Sequence, residues 1–441
     1  ADGYYYMYQT DASYGNAHDG HGHFHARRSK DLVNWEYLGA TMQEAPAWVK
    51  TKLNEIRAEQ GLAPIENPWY GYWAPCARKV NDHLYRMYYC IVVNNYIKTG
   101  GLTYDGSWSE RAFIGVMETS DPASNNWEDK GFVICSSSDK GTNWNRASEG
   151  DWNAYFKFNA IDPSFIITPE GEHWLIYGSW HSGIAAVQLN PETGKTLAEL
   201  PKSYGTAAEI APYGKLIFTR TNGGRWQGAE APEIVYHDGY YYLFLAYDGL
   251  DIPYNASKGA NNNPTVLTHP YKFSEGYGWV GISHCAVFDD GNGNWYYASQ
   301  QRFPANVGGN AYSNAIMMGG VRSIQWESNG WPTVMPERYG AVPQASISES
   351  ELVGAWEHID LSYSYGNQRT ASEMVLGDDH KITSGAWKGA AWSFNAQTNT
   401  LTCNGVELKV QREVDWEASP RKVTIVYSGL NGIKSYWGKK K

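Results

Sequence analysis

"EAPEIVYHDGYYYLFLAYDG", residues 230–249, reads as a complete β-hairpin. A β-rich run leads into Asp238-Gly239, and a second aromatic run follows. Asp-Gly between two such runs favours the tight turn whose central residues both take positive φ, because that turn matches the right-handed twist of the strands. The same grammar recurs in "WAPCARKVNDHLYRMYYC" (73–90), "DPSFIITPEGEHWLIYGSW" (162–180) and "SHCAVFDDGNGNWYYASQQ" (283–301). The chain opens on "DGYYYMYQTD" (2–11), which is the second half of a fifth such phrase.

Hairpins repeated at intervals of roughly 50–90 residues point to small antiparallel sheets arranged around an axis, an arrangement that leaves only short, protected edges. The expected fold is all-β: a five-bladed β-propeller over residues 1–345, then a small β-barrel over 346–441. In a propeller the first strand of each blade lines the central channel. Trp73, Asp162, Glu230 and His284, which stand at hairpin starts, are therefore expected at one mouth. Asp162 and Glu230 are read as equivalent positions of the repeat. "TMQEAPAWVKTKLNEIRAEQGLAP" (41–64) predicts one helix over 48–60, as a surface excursion between blades. "YGAVPQASISESELVGAW" (339–356) turns to Ser, Pro and Ala and reads as a linker. Short strands with turns at Asp378-Asp379, Asn404-Gly405 and Asn431-Gly432 follow it. The closing "GKKK" (438–441) reads as a tail of solvated lysines.

A net charge of -10 without a basic stretch argues against a nucleic-acid partner. No apolar run is long enough for a membrane helix. Five cysteines without a CxxC pair argue against zinc and for buried free thiols. The 33 Tyr and 20 Trp suit strands, and they also suit sugar binding, although most rings in a β-protein pack. "HDGHGHFHARR" (18–28) places His18, His21, His23 and His25 so that alternate ones share a strand face, open to a metal or a substrate reading.

The acids at the blade starts carry the chemistry. Asp162 lies in "NAIDPSF" (159–165) and Glu230 in "QGAEAPEI" (227–234). A carboxylate just ahead of an apolar strand runs against both strand preference and burial. Each acid could simply cap a turn. The other reading is glycoside hydrolysis, which needs one carboxylic acid to protonate the leaving oxygen and one carboxylate to activate water. In inverting enzymes these stand about 6.5–9.5 Å apart. A third carboxylate can orient the acid and raise its pKa by like-charge repulsion.

"RRSKDLVNWEYLG" (27–39), "YWAP" (72–75), "NAIDPSF", "YGSWHSGI" (177–184), "EAPEI" (230–234) and "ISHCAV" (282–287) together resemble the two-domain arabinanases of glycoside hydrolase family 43. The likeness covers nearly the whole chain, and "VYSGLNGIKSYWGKK" (426–440) resembles the end of their accessory barrel. It implies inverting cleavage of α-1,5-linked arabinofuranose in arabinan, with Glu230 as general acid and Asp162 holding and tuning it. It implies His284 beside one cation in the channel, calcium or else sodium, ligated mostly by water. Trp73 would form a stacking floor, Asn159 and Ser179 would bond hydroxyls, and Trp180 would line the sugar site. The general base belongs to the first strand of blade 1, in a phrase expected ahead of Ala1. Asp11 and Asp19 do not occupy its place in the repeat. Two other readings stay open: a non-catalytic arabinan-binding propeller, and an exo-acting arabinofuranosidase or xylosidase. A secreted or periplasmic monomer without membrane attachment is expected.

Overall fold

The computed structural model describes residues 1–10, 22–59, 63–93, 98–99, 102–103, 111–137, 158–181, 183–201, 211–220, 226–247, 265–304, 317–364 and 367–441. Five antiparallel sheets are the blades of a five-bladed β-propeller. Blade 1 pairs Tyr5–Tyr8 with His23–Ser29 and that strand with Glu36–Met42. Blade 2 is Tyr70–Asn81, Leu84–Val93, Arg111–Thr119 and Glu128–Cys135. Blade 3 is Ser164–Ile167, His173–Tyr177, Ile184–Leu189 and Lys215–Phe218. Blade 4 is Trp226–His237 and Tyr240–Tyr247, with Ser179–His181 added on the other side of the first. Blade 5 is Val280–Asp289, Trp295–Arg302, Met317–Trp326 and Pro332–Val334. Asp238 and Gly239 take φ of 51° and 89°, the tight turn expected between the strands of blade 4. Asp2 and Gly3 take 51° and 74°, so Tyr5–Tyr8 corresponds to the second strand of that hairpin.

The chain divides into two compact units, the first built from Ala1–Lys30 and Asn34–Ala246, the second chiefly from Ala260–Lys441. Blades 1 to 4 belong to the first. Its core runs from Phe24 through Tyr88, Tyr89, Ile91, Phe113 and Val133 to Phe165, Leu175 and Tyr177, all buried. The helix forms over Ala47–Glu59, in line with the sequence pattern. It is more than an excursion: Val49, Leu53 and Ile56, spaced for one helical face, join this core. Burial of side chains of that size contributes about 1.5–3 kcal/mol each. Blades 2 and 3 are also joined by polar contacts. Arg86, fully buried, donates to the Glu118 carboxylate at 2.6 Å and to the carbonyls of Pro191 and Glu192, each at 2.7 Å.

The second unit contains blade 5 and an eight-stranded sheet over residues 354–440. That sheet runs in the order Ile382–Gly385, Ser372–Leu376, Gly354–Asp360, Lys434–Lys440, Lys422–Asn431, Val406–Asp415, Thr400–Cys403, Trp392–Asn395. An antiparallel bridge from Lys381 to Ala391 brings its two ends together, so the sheet is a nearly closed barrel. Trp356, Leu376, Leu401, Leu408 and Tyr427 fill it. This compact division falls ahead of the Ser/Pro-rich run because blade 5 is stitched to the barrel strands. Trp437 Nε1 donates to the Val334 carbonyl at 2.7 Å, Glu327 accepts from the Leu430 N–H at 2.5 Å, and Ser328 meets Glu407.

The closing lysines depart from the expectation of a solvated tail. Lys434–Lys440 is a strand, and its alternation turns Lys439 inward, 2% exposed. All five cysteines are free; Cys76, Cys90, Cys135 and Cys403 are buried.

Candidate active site

One backbone irregularity marks the first strands. Ala74, Asp162, Ala231 and His284 have φ of 50°, 57°, 54° and 52°. This left-handed conformation costs a non-glycine residue roughly 1–2 kcal/mol. Three of the four precede Pro75, Pro163 and Pro232, and the fourth precedes Cys285. Where the pairing is resolved, a register shift falls at the same place, between Trp73 and Cys76 in blade 2 and between Ser283 and Cys285 in blade 5. Such bulges re-aim side chains.

The bulges correct the alignment of the repeat. Asp162 is equivalent to Ala74, Ala231 and His284. Glu230 is equivalent to Trp73, Ile161 and Ser283, one residue earlier. The two acids are therefore not repeat equivalents; the chain has put a carboxylate into a buried slot that holds a methyl group in blades 2 and 4.

The offset brings the acids to one junction. Asp162 Oδ2 accepts the Ala231 N–H at 3.0 Å, so its carboxylate sits on the peptide that leaves Glu230. Asp162 is 5% exposed. Burial pushes its pKa up to about 7, against the downward pull of the Ala231 N–H. Glu230 is half-buried. Its Oε2 accepts the Ser179 hydroxyl at 3.1 Å. Ser179 is the register partner of Glu230, because Ser179–His181 leaves blade 3 to pair with the first strand of blade 4.

Ser179 and Asn159 extend this network inward. Both are buried, at 0% and 1% exposure. Ser179 bonds Glu230. The Asn159 amide donates to the Ser179 carbonyl at 3.2 Å and accepts the Ser136 hydroxyl at 3.1 Å. They form a chain that supports Glu230 from behind, rather than a surface of free hydroxyl partners. Trp180, 6% exposed and left-handed at φ 61°, is also largely inside. Trp73 is half-buried, its indole close over Gly71 and backed by Cys90, Val92, Ala112 and Ile161. Its remaining face suits stacking. His284 is half-buried on the first strand of blade 5.

The sequence reading missed Glu233, Ser164 and Arg78. Glu233, 3% exposed, accepts from Ser164 Oγ at 2.8 Å and is ion-paired with Arg78. These residues come from the first strands of blades 4, 3 and 2, which they tie together just beyond the acid pair. The one signal for them was a second glutamate in "EAPE", too short to read. His23 stacks on Tyr72, ring centres 3.3 Å apart, and His25 Nδ1 lies 2.7 Å from the Tyr37 hydroxyl. His18, His21, Asp11 and Asp19 lie outside the described residues.

Among the described residues one trio of acids is close enough to share an ion: Glu337, Asp415 and Glu417. Lys439 Nζ already sits among them, at 2.9, 2.9 and 2.8 Å. Its ammonium supplies the positive charge, so the trio does not fit a metal centre.

A propeller whose first strands deliver two carboxylates to one junction, one of them buried and raised in pKa, is the framework of a glycoside hydrolase. The chain belongs to glycosyl hydrolases family 43, whose model matches residues 1–332; a C-terminal lipocalin-like domain matches 336–438. It is 25% identical to an extracellular endo-alpha-(1→5)-L-arabinanase of Thermotoga petrophila, over 94% of this chain and 89% of the relative. It is also 25% identical to an extracellular exo-alpha-(1→5)-L-arabinofuranosidase of Cellvibrio japonicus, over 69% of this chain and 78% of the relative. Among solved structures, an endo-1,5-alpha-L-arabinanase from Thermotoga petrophila shares the fold, with a TM-score of 0.69 and 21% identity over 100% of this chain and 96% of that one. No helix among the described residues is long and apolar enough to cross a membrane.

Proposed function

We propose that this family 43 enzyme hydrolyses α-1,5-linked L-arabinofuranose within arabinan chains, with inversion. The observation that carries the reading is the junction itself: Asp162 on the peptide following Glu230, and Ser179 on the Glu230 carboxylate. The relatives' names supply the substrate class. Glu230, half-exposed at the mouth, protonates the leaving oxygen. Asp162 fixes the Glu230 backbone through the Ala231 N–H and, when ionised, opposes negative charge on Glu230. Ser179, backed by Asn159, sets the Glu230 rotamer. Trp73 is the stacking floor, and Trp180 shapes the wall behind it.

His284 is the proposed protein ligand of a channel cation, calcium or sodium. A single imidazole suits an ion otherwise held by water, and such an ion when bound would add positive charge beside His284. We infer a secreted monomer, and the relatives' extracellular location supports the secretion. The domain junction is placed at 345/346, in the Ser/Pro-rich run.

Chromatography of products from linear arabinan tests the reading. A ladder of oligomers is expected. Arabinose alone would convert the assignment to chain-end attack, and retention of arabinan without any product would convert it to a binding propeller.

A further inference from the structure

The barrel has a cavity of its own, about 400 Å³, within the size range of small-ligand sites. Six of its lining residues fall into two chemical sets. The first is aromatic. His358 and Tyr436 are stacked, centres 5.4 Å apart and planes 21° apart, and Trp387 meets their rings at 4.6 and 4.9 Å. His358 is 4% exposed and its Nδ1 lies 2.6 Å from the Tyr427 hydroxyl. Burial holds its pKa down at about 4, so the ring is neutral across the ordinary working range. Trp387 stands on a left-handed backbone at φ 56°, a strained position of the kind that clusters at ligand sites.

The second set is polar: Asp360, Gln368 and Arg369. Asp360 faces Tyr436 across the strand pair and lies two residues from His358, on the same side of its strand. Ser362 is the pivot of this set. Its N–H donates to Asp360 Oδ1 at 2.7 Å and its carbonyl accepts Arg369 Nε at 2.7 Å. Both charged groups are thereby held by backbone. A guanidinium has five donors and a carboxylate about four acceptor sites, so each retains capacity for further bonds.

Aromatic faces beside a fixed carboxylate and guanidinium match a sugar: C–H faces stack on rings while vicinal hydroxyls donate to the acid and accept from the base. Asp360 is exposed and its Oδ2 also lies 3.7 Å from Lys434 Nζ, so the polar edge carries both signs of charge and offers both donors and acceptors, which suits a polyhydroxyl ligand. We propose that this cavity is a second carbohydrate site, which takes a pentofuranosyl unit and tethers the polysaccharide to the enzyme. Its identity as an arabinan site rests on the function proposed above. Tethering raises the local concentration of chain at the mouth without altering the chemical step.

The test uses the full chain. In a Glu230→Gln background, retention on linear arabinan is measured by affinity electrophoresis for the parent, for Trp387→Ala, which removes a ring, and for Thr370→Arg, which fills the cavity from an exposed strand position. Near-UV circular dichroism verifies each fold; should Trp387→Ala misfold, Thr370→Arg decides alone. Retention should fall in both. With Glu230 intact, both should raise KM on the polymer by roughly 3- to 10-fold while turnover of arabinotriose is unchanged. Unchanged retention and KM in folded variants overturn the second site while leaving the hydrolase standing. Cavity-dependent retention without release of reducing ends supports the second site and removes the proposed function. A parent that neither retains nor cleaves arabinan overturns both.

Discussion

In the second unit Glu337, Asp415 and Glu417 close around the ammonium of Lys439; in the first, Asp162 is buried on the peptide that leaves Glu230. Both places remove carboxylates from water. In the barrel, burial pushes Glu337 up and pulls Lys439 down, but the ring of acids reverses the latter and leaves the lysine firmly charged. That cluster is closed: the Lys439 ammonium reaches all three carboxyl groups, and little is left over for a ligand. At the propeller junction a neutral N–H dipole opposes desolvation and loses, so the Asp162 pKa ends near 7. A few residues on, Glu233 follows the barrel's solution, paired with Arg78 and Ser164. Matched charge makes structure, whereas a carboxylate left with a dipole makes a group that can exchange protons in the working pH range.

The largest effect expected from breaking this contrast is at Glu230. Glu230→Gln keeps size and the Ser179 contact but removes the proton donor, so kcat on arabinan should fall roughly 10²–10⁴-fold while binding by calorimetry persists. In the barrel, Lys439→Met leaves buried Glu337 and Asp415 and half-buried Glu417 without their cation and should destabilise the second unit by about 3–5 kcal/mol, read as a lower urea midpoint, with little change in the chemistry of the first unit at low temperature. Asp162→Asn should show the opposite sign. The ordinary aspartate value is 3.8 and the buried one is about 7, so the native state holds the extra proton between them. Its stabilisation is present below pH 4 and lost as pH rises through 7. The variant, which cannot ionise, should exceed the parent in stability by roughly 2–4 kcal/mol at pH 8 and match it near pH 4, while losing activity. Thermal melts at both pH values check this; a pH-independent difference would contradict the burial account. Ser179→Ala removes one bond to Glu230 and should cost about 1 kcal/mol in transition-state stabilisation, a several-fold loss of kcat/KM.

Much of this architecture was legible in residues alone. Asp238-Gly239 and Asn404-Gly405 declared their hairpins because few other pairs tolerate two positive φ values, and the helix at 47–59 showed its apolar spacing. The one-residue offset between Asp162 and Glu230 was not seen, although aligning the repeats on Pro75, Pro163 and Pro232 would have exposed it. A bulge changes phase without changing composition. Lys439 was misread for a related reason: "GKKK" looks solvated until strand alternation turns one lysine inward. The bonds from Ser179 to Glu230 and from Asn159 to the Ser179 carbonyl could not be read from residues alone, since sequence names a neighbourhood and not the direction of a hydroxyl.

The left-handed position in the first strands gives the molecule a set of interchangeable sockets. Alanine fills two of them, aspartate a third and histidine a fourth, on one backbone conformation with φ between 50° and 57°. Exchanging the occupant would not require rethreading the strand, because the strain is already present with an inert methyl group in place. Reactive groups can thus be installed or withdrawn blade by blade by single substitutions, and new specificities on this scaffold should be sought first by varying residues 74 and 231.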